Sequence, residues 1–555
     1  MAIGTLELQL TWNRLLAIVE EQAQTLMRTA FSTVVREAGD LSAGVFDVQG
    51  RMLAQAVTGT PGHVNAMAAS VGKFLYLHPV NTLQPGDVLL TNDPWDGTGH
   101  LNDFTVVTPV FRRERCVALF ASTSHIADVG GRGFGPDAND LFEEGLRIPI
   151  SFLFRQGRRD ETLMRLISAN VRDPVVAEGD LYSLTASNDS GAAQLVELMD
   201  DFSLDSLDQV AGWILDTSRQ AMLDEIRSLP AGEYGNAMRI DGYDRPVDLV
   251  CTVRVSDSGI DIDFDRTSGA SNAGINVPLP YTQAYASFGA RCVVGNDIPN
   301  NAGSLEVVRV TAPAGSLLNA QPPRAVSARH AVGQMLPDVI LGALASILPD
   351  KVPAEGASCI WNPVFLSAPA EAGVNADVAS FVINPIFNGG TGARPTKDGL
   401  STTAFPSGVR TTPTEINEAT APLIIWRKEY RLDSAGAGQH RGGLGQIIEV
   451  AHAAGAPFVV SKMFDRVDHP ARGSRGGGDG APGSVYLKQG GETFKGKGRD
   501  VVPAGGTLVM ETPGGAGIGS PIQRDCELIH ADLEADLISR DAARADYGMD
   551  GSTRA

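Results

Sequence analysis

The chain has 555 residues, 43% hydrophobic and 20% charged, with a formal net charge of −20. Its length exceeds one compact core and predicts several domains. The acidic balance disfavours nucleic acid and an anionic membrane surface as partners, and no run reaches the roughly 18 apolar residues of a membrane span.

Apolar residues recur at helical spacing from Leu8 to about Val35, through Leu15, Ile18, Val19, Leu26 and Ala30, which predicts one long amphipathic helix. The opening MAIGTLELQLTWNRLL lacks a basic segment followed by an apolar run, so no secretory signal is read there and a cytoplasmic location is expected. Strands are predicted over 41–47 and 51–57 about the turn Val48-Gln49-Gly50, then a helix over 62–77 and a short strand at 88–91. Residues 159–228 read as mostly helical. Beyond them the period changes to two, and a hairpin is predicted about Ser256-Asp257-Ser258-Gly259. Helical stretches at 281–294 and 328–347 follow, then Gly- and Pro-rich sequence with short β-like runs, and a last helix over 532–547.

The predicted class is α+β in several domains. A helical, hairpin-rich N-terminal region spans 1–230, a hairpin with helices spans 231–350, and a Gly-rich, β-rich region spans 351–555. Cys116, Cys251, Cys292, Cys359 and Cys526 stand singly, which argues against a disulfide framework, a zinc ribbon or an iron–sulfur cluster. The run from Gly491 to Gly498 nearly spells a phosphate-binding loop but ends in glycine where Ser or Thr would hold magnesium. No nucleotide site is expected.

The stretch HLNDFTVVTPVFRRERCVALFASTSHIAD carries His-x-x-Asp at both ends, His100 with Asp103 and His125 with Asp128. FTVVTPVF and ERCVALFAST are β-rich, and a turn centred between Arg112 and Arg113 would set His100 opposite His125. Two imidazoles and up to two carboxylates would then meet at one open end of a sheet, a donor set that suits zinc, manganese or iron. Asp93 and Asp96 on the preceding loop offer further oxygens. The alternative is a pair of surface histidines with Asp residues serving as caps. Glu143 or Glu144, shortly downstream, could act as a general base for water, or form part of a solvated face. Arg394, Lys397 and Arg441 lie among glycines and could hold an anion, or be exposed turn residues.

NDPWDGTGHLNDFTVVTPVF together with SHIADVGG resembles the signature of the hydantoinase B family. That family includes N-methylhydantoinase, 5-oxoprolinase and caprolactamase subunits, and acetone and acetophenone carboxylase subunits are related to it. REAGDLSAGVFDVQGRMLAQ, EEGLRIP, NDIPNNAGSLEVVRVTAPAGSLLNAQPPRAVSAR, GGTGARPTKDG and RLDSAGAGQHRGGLG resemble further family segments in the same order, so the likeness covers nearly the whole chain. The resemblance implies a divalent metal held by His100, Asp103 and His125, with Asp128 and Asp40 as further ligands or as groups that hold the ligands. It also implies a B-type subunit of an ATP-dependent cyclic-amide hydrolase acting in a hetero-oligomer. A hydantoinase A-type partner would use ATP to make an O-phosphorylated intermediate, which this subunit would hydrolyse with metal-activated water. The alternatives are a subunit of a ketone carboxylase, or a scaffold for the ATPase partner. Two departures stand out: Asn102 occupies the position where the family usually has proline, and Ile126 follows His125 where relatives often carry a second histidine.

Overall fold

The computed structural model describes residues 4–58, 60–368 and 381–549. The fold is α+β, with two compact units that cut across the chain order. The first holds the chain up to Phe134, then Ala138–Tyr234 and Cys251–Arg329; the second holds Gly135–Asp137, Gly235–Val250 and the chain from His330 onward. The predicted 1–230 region thus falls in the first unit apart from three residues, 351–555 falls in the second, and 231–350 is divided between them. Among the described residues no helix is long and apolar enough to cross a membrane.

In the first unit the elements run α1 (Thr5–Thr29), α2 (Thr33–Arg36), β1 (Leu41–Phe46), β2 (Met52–Gln55), α3 (Pro61–Leu77), β3 (Val88–Thr91), β4 (Asp103–Arg112), β5 (Arg115–His125), β6 (Ser151–Arg155), β7 (Arg158–Arg159), α4 (Glu161–Asn170), α5 (Pro174–Asp201) and α6 (Asp208–Arg227). The helix expected over 8–35 is broken. The Phe31 and Ser32 amides leave the helical path and donate to Asp180 Oδ1 at 2.7 and 3.1 Å, a side-chain partner no periodicity reveals.

Seven strands form one antiparallel sheet in the order β2-β1-β5-β4-β3-β6-β7. Strand alternation sends Val106, Val110 and Phe120 to one face, where they join Leu15, Val19 and Leu26 of α1 and Leu181 and Leu184 of α5. Val107, Leu119 and Ala121 point the other way, onto Val64, Met67, Val71 and Phe74 of α3. With both faces covered, the strands read as continuous apolar runs, and each fully buried large side chain contributes roughly 1.5–3 kcal/mol. The predicted hairpin is also present: Thr252 to Ser256 pair with Asp263 to Gly259, and Ile260 to Asp263 pair in parallel with Val308–Thr311.

Among the described residues the second unit contains two four-stranded sheets and a two-stranded one. Its glycine-rich segments pack backbone against backbone; the Gly436 amide donates to Gly515 O and the Gly515 amide to Gly443 O. The helix expected over 532–547 is two short helices, Cys526–Glu534 and Arg540–Ala545, with Asp536 between them at φ +52° and Ser539 capping the second.

Candidate metal centre

The β4/β5 turn is Arg113-Glu114, both residues at positive φ, as a tight two-residue hairpin turn requires. It lies one residue beyond the expected position, and an irregularity between Val110 and Phe111 moves the register once more. Asp103, not His100, therefore stands opposite His125. His100 precedes the strand, on a loop that Gly99 lets turn: Gly99 has φ +104°, and a β-carbon there would lie 2.7 Å from Arg329. The two departures from the family pattern face each other. The Ile126 amide donates to Asn102 O at 2.7 Å and the Asn102 side chain donates to Ile126 O at 2.9 Å, joining the two His-x-x-Asp elements.

Asp103 is fully buried and organises the site. Its Oδ1 lies 2.7 Å from His100 Nε2 and 3.4 Å from His125 Nδ1. Its Oδ2 accepts from Thr98 Oγ1 at 2.9 Å and from the Arg329 guanidinium, and lies 2.9 Å from His63 Nε2. Arg329 also donates to Thr98 O, and its guanidinium lies over the Tyr281 ring, 4.0 Å from the centroid. Burial alone would raise the Asp103 carboxyl, but His100, His63 and Arg329 together hold it well below its ordinary value. His63 moves the other way: burial lowers it, yet Asp103 and Asp40 outweigh that and raise it, so the imidazole is biased toward its protonated form.

His100 has its hydrogen placed by its surroundings. Nδ1 lies 2.9 Å from Ser327 O, and because a carbonyl only accepts, Nδ1 is the donor. Burial first, and then Arg329, lower its pKa to about 4, so Nε2 gives up its proton readily, as a ligating imidazole must. Nε2 lies 2.7 Å from Asp103 Oδ1, close enough for one proton or one metal ion to be held by both. His100, Asp103 and His125 each place one ligand atom within 4.8 Å of the others, all three buried, and two imidazoles with one carboxylate suit zinc, manganese or iron. The donor set therefore fits a divalent ion. The Ser327 carbonyl behind His100 is the kind of outer partner that orients a ligating imidazole.

The other expected residues are placed differently. Asp40 stands beside the cluster, Oδ1 accepting from Thr60 at 2.8 Å and facing His63 Nδ1 at 3.5 Å. Asp128 is not in the group: its carboxylate takes the Gly130 and Arg172 amides and pairs with the Arg172 side chain at 2.5 Å. Asp93 caps its own turn through the Trp95 and Asp96 amides and pairs with Arg147, while Asp96 faces Lys73. Glu143 pairs with Arg132 at 3.1 Å and accepts from Asn139. Glu144 is buried and its Oε1 accepts the Val326 and Ser327 amides at 2.6 and 2.7 Å; it holds the loop whose Ser327 carbonyl orients His100. Arg394 belongs to the second unit and donates to Asp398 O, Lys397 is exposed on the turn where the Arg394 amide donates to Lys397 O at 2.9 Å, and Arg441 pairs with Asp532 at 2.9 Å.

Sequence reasoning missed His63 and Arg329. His63 had a signal, since it lies in phase with Met67, Ser70 and Phe74 on the buried face of α3. Arg329 had none, being 226 residues from the carboxylate it pairs with.

Residues 5–521 match the hydantoinase B/oxoprolinase family. The chain is 30% identical over 543 residues to 5-oxoprolinase 1 of Arabidopsis thaliana, covering 92% of this chain and 41% of that protein. It is 28% identical over 560 residues to the caprolactamase subunit beta of Pseudomonas jessenii, covering 95% and 93%. The crystal structure of the ATP-dependent caprolactamase from Pseudomonas jessenii superposes with a TM-score of 0.89 at 23% identity, covering 100% of this chain and 98% of that one, a likeness of fold. This chain belongs to the hydantoinase B/oxoprolinase family.

Proposed function

We propose that the chain is the B-type subunit of an ATP-dependent cyclic-amide hydrolase, working with an A-type ATP-binding partner that phosphorylates the amide oxygen. The observation that carries this reading is His100 Nε2 held 2.7 Å from Asp103 Oδ1 with His125 beside them, a buried set of donors that suits a divalent ion. A caprolactamase subunit beta among the relatives supports the partner and the substrate class.

An unstrained amide is a poor electrophile, and phosphorylation of its oxygen makes the ring carbon open to water. A zinc, manganese or iron ion held by His100, Asp103 and His125 would act as a Lewis acid and lower the pKa of a water toward neutrality. The chain's own groups do the rest. His125 turns Nδ1 toward Asp103; were Nδ1 given to the ion, the ring proton would sit on Nε2, which is buried with no hydrogen-bond partner among the described residues and would be the group to meet a substrate oxygen. His63, biased toward its protonated form between Asp103 and Asp40, keeps a proton beside the cluster. Arg329 holds Asp103 ionised from the opposite side. Addition of water to the ring carbon, cleavage of the ring C–N bond and release of phosphate, with a second water completing the balance, would yield the ring-opened amino acid.

The test is ATP-coupled ring opening of a panel of hydantoins, 5-oxoproline and lactams by the co-purified complex, wild type against His125→Ala. The variant is expected to assemble with its partner and to lose hydrolysis. An assembled variant with wild-type turnover would overturn the assignment and leave a scaffolding role.

A further inference from the structure

The first unit contains a cavity of about 600 Å³ on the face of α3 away from His63. Pro61, Val64 and Asn65, at helical spacings of three and four, line it, while His63 on another face reaches Asp103. Leu16, Phe288, Ile298 and Pro299 supply further apolar wall. The volume is that of a site for a small organic molecule.

Arg291 lies in this wall, at the last position of the helix Leu279–Arg291. It is 8% exposed, and among the described residues no carboxylate lies within ion-pair distance of it. Its guanidinium donates to the Met222 sulfur and to Ile298 O, and its Nε is buried with no hydrogen-bond partner among the described residues. Burial lowers its pKa to about 10, with no carboxylate offsetting the effect, so it remains charged at neutral pH. A buried cation without a counter-charge is costly for a fold to keep. An anion supplied from outside removes that cost.

The wall also selects the anion. Glu20, whose Oε1 accepts the Val57 amide, and Asp297 line the same cavity; they repel a dianion about twice as strongly as a monoanion, and most of the lining area is apolar. We propose that this cavity binds a small monocarboxylate with an apolar body, its carboxylate on Arg291 and its body against Leu16, Val64 and Phe288.

This site is separate from the metal centre. Tyr281 on the same helix as Arg291 lies under Arg329 about 15 Å away by helical rise, so this helix touches the Asp103 cluster at one end and the cavity at the other. Binding is therefore expected to survive His100→Ala, which separates failure of this proposal from failure of the proposed function.

The experiment titrates the full chain by calorimetry with 3-phenylpropanoate, 3-phenylpropanamide and inorganic phosphate. The expected result is saturable 1:1 binding of the carboxylate, with the amide and phosphate each weaker by at least about tenfold. Arg291→Met, shown folded by circular dichroism, is expected to weaken the carboxylate by at least about tenfold as well. Should that variant not fold, Val57→Glu at the rim, where Val57 is 89% exposed, serves instead. It is expected to weaken the carboxylate by about threefold or more and to leave the amide unchanged. No saturable carboxylate binding, equal affinity for acid and amide, tighter binding of phosphate, or full affinity in the folded Arg291→Met protein would each overturn the proposal. So would unchanged affinity in Val57→Glu where that variant is the one used.

Discussion

Replacing Glu144 by glutamine tests the support behind His100, and the sign of its effect follows from one buried proton. Burial pushes the Glu144 carboxyl up to about 8 from an ordinary value of 4.5, against the pull of the Ser327 and Val326 amides. Between those two values the native chain holds a proton that the unfolded chain has released, so rising pH favours unfolding. Stability falls by about 1.4 kcal/mol per pH unit in that window, about 3 kcal/mol by pH 7, and levels off above pH 8. Glutamine keeps the shape and the accepting Oε1 but does not titrate. Its new amide hydrogens meet no partner at the position of Oε2, at a cost of about 1 kcal/mol. Glu144→Gln is therefore expected to be about 1 kcal/mol less stable than wild type near pH 4.5 and about 2 kcal/mol more stable at pH 7. Thermal and urea unfolding of both proteins from pH 4.5 to 8.5 measures the crossover. A variant that is less stable at every pH would refute the reasoning, because it would mean that the two amides keep Glu144 ionised in the native state.

Metal analysis by mass spectrometry after metal-replete purification is expected to find about one zinc, manganese or iron per chain, lost in folded His100→Ala and His125→Ala proteins. Asp128→Ala is expected to retain the metal, because its carboxylate serves Arg172. Asp103→Asn and Arg329→Met each leave one buried partner of the pair uncompensated and are expected to cost about 3–5 kcal/mol in urea unfolding under chelation. The double variant should lose clearly less than the two losses added, and full additivity would show that the pair is not coupled. Gly62→Ala places a β-carbon 2.5 Å from the Tyr281 and Tyr285 rings; a loss of about 1–3 kcal/mol is expected in thermal unfolding, and no loss would mean that α3 shifts freely.

Much of the site was legible because strand chemistry is local. The β-rich runs on either side of Arg112-Arg113 predict a hairpin, and any such hairpin joins its two ends, so Asp103 and His125 meet even though the expected register was three positions off. The error came from the turn: Arg113-Glu114 carries no glycine or asparagine to mark where the backbone enters the left-handed region. Asp128 illustrates the opposite limit. Its spacing from His125 repeats that of His100 and Asp103, but the chain has left the sheet by then, and Arg172 takes the carboxylate.

The amino-acid order by itself determined the α+β class, the position of most helices and strands in the first unit, and three of the residues that meet at the candidate metal centre, since period, turn residues and short-range spacing are all written within a few neighbours. Only the tertiary structure decided what those residues are chemically. The tautomer of His100 depends on a carbonyl 227 positions away, the charge of Asp103 on Arg329, and the role of Glu144 on two amides of a distant loop. Protonation in a buried site is set by whichever polar groups the fold brings within hydrogen-bond reach, and sequence distance says nothing about that reach.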